Sequence, residues 1–336
     1  MTSRELVYKT LEFNNHYGRA PRDLWVLPWA EARYPTELQQ IRADFPGDFF
    51  TPDPYYREQG ISHGDIYRVG TYVDAWGCVF ENKADGYIGE VKEAIVPPDD
   101  DDWADVSKVH FPVDLLSVDI DAVNAQCRSA DQFVMSGVCP RPFEQLQFMR
   151  TSERLFVDLA DPQPGFLRFA GKVHAFYCDL LELWAKTEVD ALNFMDDWGA
   201  QSALLIHPAT WRRVFKPMYK DYIDIAHRAG KKIFMHSDGH TLAIYPDLIE
   251  LGLDAFNSQI CCMGADNLRP FAGKITFWGE VDRQNLLPFG SVDDVKSVVR
   301  QIREALWVNG GAIAQCEFSV GGNPANVRAV YEAWEE

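Results

Sequence analysis

The sequence has no long apolar run, no surplus of positive charge and no glycine-rich dinucleotide-binding motif. No segment of the 336 residues approaches the ~20 consecutive apolar positions that a membrane-spanning helix needs. Lysine and arginine number 32 against 50 acidic residues, which gives a formal net charge of -18. A nucleic acid or an anionic membrane surface would be repelled by this charge. We therefore expect a small-molecule substrate, and an anionic one would need a specific Arg or Lys.

Cysteine is sparse, and the spacing of the cysteines does not indicate a disulfide framework. The seven cysteines are odd in number and scattered along the chain, which is typical of free thiols in a reducing compartment. Residues 1–5 lack the apolar core of a signal peptide. These features predict a cytoplasmic protein, as a monomer or a homodimer. Most of the cysteines should be small core residues, and Cys316 is the candidate exception.

From residue 114 onward, short apolar runs alternate with helical segments. The six runs are residues 132–137, 191–195, 232–236, 255–257, 275–279 and 312–316. Strands in series, each followed by a helix or a turn, predict a parallel sheet. With residues 23–29 as the first strand and residues 67–73 as another, the count reaches the eight strands of an α/β (β/α)8 TIM barrel. A doubly wound open sheet is the alternative, but no Gly-x-Gly-x-x-Gly turn follows the first strand.

The N-terminal third is irregular and rich in aromatic residues. We expect one domain, residues 1–336, with residues 45–112 forming a lid at the barrel rim. Residues 67–73, 77–82 and 86–96 look like short antiparallel strands of this excursion. Its aromatic side chains should line or roof a pocket, because loops rarely leave so much apolar surface in water. They are Trp29, Tyr34, Phe49, Phe50, Tyr55, Tyr56 and Trp76.

Polar side chains follow the predicted strands, where the active site of a barrel lies. His236 ends the run 232–236 and Asp238 follows it, and Cys316 ends the run 312–316. Imidazole, carboxylate and thiolate together are the ligand types of a zinc site with an open position. The alternatives are a histidine bonded to a nearby carboxylate, an Asp that caps the next helix, and a buried core cysteine.

The adjacent acids Asp196 and Asp197 have two possible roles. Either could orient a substrate or act as a general acid or base, while the other ties down the loop with Trp198. With His236 they are the candidate catalytic residues. The candidate substrate-binding residues are Trp29, Arg33, Tyr34, Trp76, Trp198, Asn257 and Glu280.

A series of motifs between residues 131 and 336 resembles the uroporphyrinogen decarboxylase superfamily. The motifs are Asp196-Asp197-Trp198-Gly199, Phe215-Lys216-Pro217, Ala226-His227-Arg228-Ala229-Gly230-Lys231-Lys232, His236-Ser237-Asp238-Gly239, Asp247-Leu248-Ile249-Glu250-Leu251-Gly252-Leu253-Asp254-Ala255, Phe277-Trp278-Gly279 and Asn323-Pro324-Ala325-Asn326-Val327. In the last motif Ala325 stands where the family usually has an acid. The resemblance implies a (β/α)8 barrel, in agreement with the strand count.

The superfamily has branches, and the motifs favour one of them. True uroporphyrinogen decarboxylases carry Arg-Gln-Ala-Gly-Arg-Tyr after the first strand and a Phe-Ser-Asp-Ile segment, and neither occurs here. The methyltransferases of the superfamily hold zinc with His-x-Cys after the fifth strand and a Cys after the eighth. His236 and Cys316 are similar to two of these ligands, and Asp238 stands in place of the third. A carboxylate in place of a thiolate makes the site harder and favours oxygen-bearing substrates.

The sequence is compatible with three functions. The first is zinc-dependent methyl transfer from a small methoxy or similar substrate to a thiol or to a corrinoid carried by a partner protein. The second is a metal-free decarboxylase or lyase that acts on a small carboxylate or a tetrapyrrole. The third is a non-catalytic binding protein. Metal content separates the first from the other two.

Overall fold

The computed structural model describes all residues, 1–336. It contains eleven strands. They are β1 (Arg22–Val26), β2 (Phe49–Phe50), β3 (Gly70–Val73), β4 (Val79–Asn82), β5 (Glu90–Val91), β6 (Phe133–Val134), β7 (Ala191–Met195), β8 (Lys232–Ser237), β9 (Ala255–Ser258), β10 (Thr276–Phe277) and β11 (Ala314–Phe318).

Eight of these strands run parallel to their neighbours. β7, β8, β9 and β10 form one sheet, β1 pairs with β11, and β2 pairs with β6. Single bridges, Met135 to Ala191 and Phe277 to Ala312, link these sheets. The amide of Asp48 also donates to the carbonyl of Arg22, which joins the start of β2 to β1. The regular α/β alternation predicted from residue 114 onward is therefore present.

The predicted position of the second parallel strand is wrong. Residues 67–73 were expected to supply it, but β3 pairs antiparallel with β4. The parallel strand is instead β2, whose Phe49 lies opposite Phe133. Two residues are too short to show a strand period, so the pattern could not reveal it. The prediction of antiparallel strands in this region is confirmed, because β3, β4 and β5 form a three-stranded antiparallel sheet.

Fifteen α-helices flank the strands. They are α1 (Ser3–Leu11), α2 (Pro28–Arg33), α3 (Pro35–Asp44), α4 (Ile120–Ser129), α5 (Pro142–Arg150), α6 (Ser152–Ala160), α7 (Pro164–Trp184), α8 (Pro208–Val214), α9 (Lys216–Arg228), α10 (Tyr245–Leu251), α11 (Ile260–Met263), α12 (Ala265–Leu268), α13 (Leu286–Phe289), α14 (Val292–Leu306) and α15 (Pro324–Glu335). None of them combines the length and the apolar character that a bilayer crossing requires. Capping boxes start α1 at Thr2 and α14 at Ser291, since each side chain accepts an orphan N–H.

The parallel strands are buried on both faces. Phe133, Ala191, Phe234 and Ala255 belong to a small core that α1 covers with apolar side chains. Their neighbours along each strand belong to a much larger core shared with the surrounding helices. Burial of both faces is typical of parallel sheets between helices. Such strands lack the alternation of polar and apolar residues from which the sequence could show which side chains point to which face of the sheet.

Candidate functional site

A cavity of about 1020 Å³ opens beyond the carboxyl ends of the parallel strands. Its polar lining residues are Arg141, Glu144, Asn193, Asp197, His236, Asp238, Arg283, Gln284 and Glu317. Its apolar wall comes in part from the antiparallel excursion, which contributes Ile66, Tyr67, Phe80, Tyr87 and Ile88. The site therefore combines a charged set of side chains on the strands with an aromatic and aliphatic wall above them.

The floor of the cavity contains two tryptophans held by one buried acid. Trp25 and Trp278 pack edge to face with ring centroids 5.1 Å apart, and each indole N–H donates to Asp23 Oδ2, at 2.9 and 2.8 Å. Burial raises the pKa of Asp23 to about 6 despite these two hydrogen bonds. The ring of Trp25 lies 5.5 Å from the imidazole of His236. The indoles are thus fixed beside the histidine.

His236 on β8 is the centre of the polar set. Its Nδ1 lies 2.6 Å from Asn257 Oδ1, and Asn257 Nδ2 donates to the carbonyl of Trp278. Because the amide nitrogen of Asn257 is committed as a donor, its oxygen accepts and His236 Nδ1 carries a proton. His236 Nε2 is left facing two carboxylates, 3.5 Å from Asp197 Oδ1 and 3.7 Å from Asp238 Oδ1.

The charges around His236 favour its protonated form. Burial acts to lower the pKa of the imidazole, but the nearby Asp197, Asp238 and Glu280 raise it to about 10. Burial acts to raise the pKa of Asp197, but the hydrogen bond and charge of His236, the Asp238 amide and the charge of Arg141 together lower it. Asp238 Oδ1 is buried and has no hydrogen-bond partner. The site is thus arranged to hold positive charge between two carboxylates, as a proton or as a cation.

Arg283 neutralises the other side of the acidic group. Its guanidinium bonds to Asp238 Oδ2 and to Glu280 Oε1 and lies 3.4 Å from Glu317. Burial and the neighbouring Asp238 raise the pKa of Glu280 to about 7, although Arg283 opposes the shift. A single arginine shared among three acids leaves an excess of negative charge on this wall.

Arg141 and Glu144 are two further charged residues on the cavity wall. Arg141 precedes α5, and Glu144 lies in its first turn. Burial raises the pKa of Glu144 to about 7, with Asp197 adding to the shift and Arg141 opposing it. The sequence-based prediction missed both residues, together with Arg283. Arg141 follows a predicted strand between two prolines, so the rule that polar residues after strands carry function could have found it.

Asp196 and Asp197 are adjacent but face different environments. Asp197 lines the cavity. Asp196 is fully buried, where it accepts hydrogen bonds from the Tyr219 hydroxyl at 2.6 Å and from the Glu144 amide at 2.9 Å. Burial raises the pKa of Asp196 well above its usual range. Of the two acids, the structure places only Asp197 with His236, and Asp196 anchors the start of α5.

Cys316 does not join the predicted ligand group. It lies within β11 opposite Leu24, fully buried in the large core between sheet and helices. The next residue, Glu317, is the one that lines the cavity, because successive side chains on a strand point to opposite faces. The group whose ligand atoms lie within 4.8 Å of one another is Asp197, His236 and Asp238. Asp197, and not Cys316, therefore lies together with His236 and Asp238.

None of the seven expected substrate-binding residues lines the cavity. Trp198 is buried and stacks on Phe143 at 4.0 Å. Trp76 is buried against Phe111 and Phe176. The rings of Trp29 and Tyr34 pack against each other.

The remaining three of these residues are also set back from the cavity. The Arg33 guanidinium lies over the rings of Trp29 and Tyr34. Asn257 and Glu280 act one step away from the cavity, through His236 and Arg283.

The aromatic residues that line the cavity also differ from those predicted from the sequence. Phe49 packs in the small core against Phe133, Phe50 packs against the large core, and Tyr55 and Tyr56 are exposed. The aromatic residues of the excursion that line the cavity are Tyr67, Phe80 and Tyr87.

The loops that carry the two aspartates meet at a pair of glycines. Gly239 has φ +77°, and a Cβ there would lie 2.1 Å from the carbonyl oxygen of Gly199. The amide of Gly199 donates to the Asp238 carbonyl at 3.0 Å, and the amide of Asp238 donates to Asp197 Oδ1 at 2.9 Å. Only glycine permits this close approach, which sets the spacing of the two carboxylates.

Comparison with known families gives one match. The family model described as uroporphyrinogen decarboxylase (URO-D) matches residues 71–336. The chain belongs to the URO-D family. No curated protein gives a significant match to the sequence. The match covers β3 to α15. It therefore includes all the polar residues named above that line the cavity of this URO-D family member.

Solved structures with a similar fold share little sequence with this URO-D family member. A methyltransferase from Methanosarcina mazei superposes with a TM-score of 0.64 at 12% identity, covering 100% of this chain and 98% of its own. A 3-keto-D-glucoside 4-epimerase from E. coli gives 0.40 at 13% identity, covering 66% and 84%. An endo-β-1,4-xylanase from Gloeophyllum trabeum gives 0.44 at 9% identity, covering 97% and 99%. The first of these likenesses supports the fold.

Proposed function

We propose that this URO-D family member is a metal-dependent methyltransferase that takes a methyl group from a small oxygen-bearing substrate. The observation that carries the proposal is the convergence of Asp197, His236 and Asp238, with ligand atoms within 4.8 Å of one another, at the end of a cavity. The acceptor is a thiol or a corrinoid on a partner protein. The M. mazei methyltransferase of similar fold supports the reaction class.

The residues present fit a divalent cation. His236 presents Nε2 because Asn257 holds Nδ1, and such an orienting partner is usual for a metal-binding histidine. Asp238 Oδ1 is buried without a partner, as expected of an oxygen that bonds to an ion. One imidazole and two carboxylates form a harder ligand set than the zinc thiolate sites of the related methyltransferases. Zinc bound here would act as a Lewis acid on a substrate oxygen.

The other cavity residues have roles that follow from their contacts. Arg283 holds Asp238 in place and offsets the charge of Glu280 and Glu317. Glu144, with its pKa of about 7, can hold a proton near neutral pH and donate it to a departing oxygen. The apolar wall excludes water, which strengthens each of these electrostatic interactions. The cavity volume is at the upper end of the ~300–1,000 Å³ typical of small-molecule sites.

We also infer that the eight parallel strands close into one (β/α)8 barrel with the excursion as its lid. The pairings β1 with β11, β6 with β2 and β7 through β10, the bridges between them, and the Asp48 to Arg22 hydrogen bond support closure. The position of Tyr67, Phe80 and Tyr87 on the cavity wall supports the lid.

Elemental analysis and a methyl-transfer assay test the proposal together. Protein purified without chelator should contain zinc or a similar divalent metal, and His236→Ala should lose one equivalent of it. Cys316→Ser is the matched control and should keep the metal, because its thiol lies in the core. With reduced cobalamin and a panel of methoxylated compounds, the wild type should form methylcobalamin and His236→Ala should not. A metal-free wild type that takes up no added zinc would overturn the metal centre.

A metal-free carboxy-lyase is the second candidate, and Glu144 is the observation that favours it. A carboxylic acid with a pKa of about 7 beside Arg141, Arg283 and an imidazolium could hold a substrate carboxylate and protonate the carbon left after loss of CO2. In that case Glu144→Gln should abolish release of CO2, while removal of metal by chelators changes nothing. An absence of both activities would leave the third function, a non-catalytic binding protein.

A further inference from the structure

A second group of metal-ligating side chains lies away from the cavity, between helices α7 and α9. His174 and Cys178 are four residues apart on α7, which puts them on one face one turn apart. Asp221 projects from the facing helix α9. One ligand atom from each of the three lies within 4.8 Å of the others. Two packed helices thus bring together an imidazole, a thiol and a carboxylate.

The imidazole of His174 is held in position to serve this group. Its Nε2 lies 3.0 Å from Asp221 Oδ2 and 3.6 Å from Cys178 Sγ. Its Nδ1 lies 3.2 Å from the hydroxyl of Tyr222, which is fully buried. Tyr222 thus fixes the ring through one nitrogen and leaves Nε2 facing the carboxylate of Asp221, as an orienting partner of a metal-binding histidine does. The Cys178 sulfur lies beside the ring, also 3.8 Å from Nδ1.

A simple ion pair accounts for only part of this arrangement. His174 and Asp221 would form such a pair without Cys178. The charges around the thiol also favour a cation, because the carboxylates of Asp221, Asp179 and Glu182 lie near it. Arg228 is the opposing charge, and its guanidinium is already paired with Glu182 at 2.7 Å. A bound cation would relieve the excess negative charge and stabilise the thiolate.

We propose that His174, Cys178 and Asp221 bind one zinc-type divalent cation, with water in the fourth position. The ligand types match those of zinc sites with three protein ligands. The side chain of Asp221 is 58% exposed and that of His174 is 18% exposed, so an ion can enter from solvent without opening the fold. Because the ligands come from two helices, the bound ion would hold α7 against α9. This site does not depend on the function proposed for the cavity.

Cobalt(II) provides a probe that separates the two sites. A cobalt–thiolate bond gives an ultraviolet charge-transfer band, and the Asp197, His236 and Asp238 group contains no thiol. Reduced, metal-free protein titrated with Co²⁺ should develop this band, and added Zn²⁺ should abolish it by displacement. Cys178→Ser should lose the band and Asp221→Asn should bind Co²⁺ roughly tenfold or more weakly, as removal of a ligand implies. His236→Ala should keep the band, which makes failure here distinguishable from failure at the cavity.

A matched cysteine variant and a stability measurement complete the test. Cys261→Ser removes an exposed thiol on α11 and should leave the band unchanged. In the His236→Ala background, Zn²⁺ should raise the melting temperature, and the further change Cys178→Ser should remove that rise. The proposal is overturned if the wild type gives no thiolate band, or if the band survives Cys178→Ser. A Zn²⁺-dependent rise that Cys178→Ser does not affect would overturn it as well.

Discussion

The amide of Asn257 fixes the orientation of His236, with Asn257 Oδ1 2.6 Å from His236 Nδ1. The same amide donates through Nδ2 to the Trp278 carbonyl. His236, near the end of β8, is thus positioned by a side chain from β9. This contact makes its Nε2 face Asp197 and Asp238.

Asn257→Ala should weaken metal binding at the cavity by about 10–100-fold, the usual effect of removing the partner that orients a metal-binding histidine. Competition with a fluorescent zinc chelator measures the affinity. Asn267→Ala on α12 is the matched control and should leave the affinity unchanged. An unchanged affinity in Asn257→Ala would show that His236 does not need this contact to bind.

Asp196→Ala and Asp197→Ala should affect different properties of the protein although the residues are adjacent: the first its stability, the second its metal binding. Asp196→Ala leaves the Tyr219 hydroxyl and the Glu144 amide without an acceptor, so the free energy of unfolding should fall by about 2 kcal/mol or more. Asp197→Ala should cost little stability but should lose the one equivalent of metal that the cavity site binds. Urea unfolding and elemental analysis of both variants measure this. The assignment fails if Asp196→Ala loses the metal and stays stable.

Gly239→Ala should destabilise the site loops far more than Gly230→Ala. Both glycines have positive φ, +77° and +69°, so both alanines meet a left-handed backbone cost of roughly 1–2 kcal/mol. Nothing lies within 4 Å of a Cβ at Gly230, whereas at Gly239 it would collide with Gly199. Thermal unfolding should show a small shift for Gly230→Ala and a large one for Gly239→Ala. Equal shifts would mean that the backbone at Gly199 moves to make room for the added Cβ at little energetic cost.

The stability of the metal-free protein should fall as the pH rises from 6.5 to 10. The pKa of His236 is raised from 6.5 to about 10 in the folded chain, so its contribution is complete below 6.5 and is lost as the pH passes through 10. Urea unfolding in chelator at pH 6, 8 and 10 should show a difference between wild type and His236→Gln that shrinks at each step. The exposed His16→Gln is the control. A constant difference would contradict the raised pKa.

The parallel strands from β6 onward and the position of His236 could be predicted from the sequence. β7 begins and ends where the apolar run 191–195 does, and His236 lies at the cavity as its place after a strand-like run predicts. Asp238, two residues beyond, was also predicted. These predictions succeed because they depend only on local hydrophobic pattern and on the rule that parallel strands end at one edge.

The sequence by itself determined the α/β alternation, the family and the position of the site in the chain. Only the tertiary structure decided which of two neighbouring residues enters the cavity: Asp197 and not Asp196, Glu317 and not Cys316. The physical reason is that both faces of these strands are buried, by the small core on one side and the helices on the other. A strand that is apolar on both faces carries no period from which to tell inward from outward, and a shift of one residue exchanges the two.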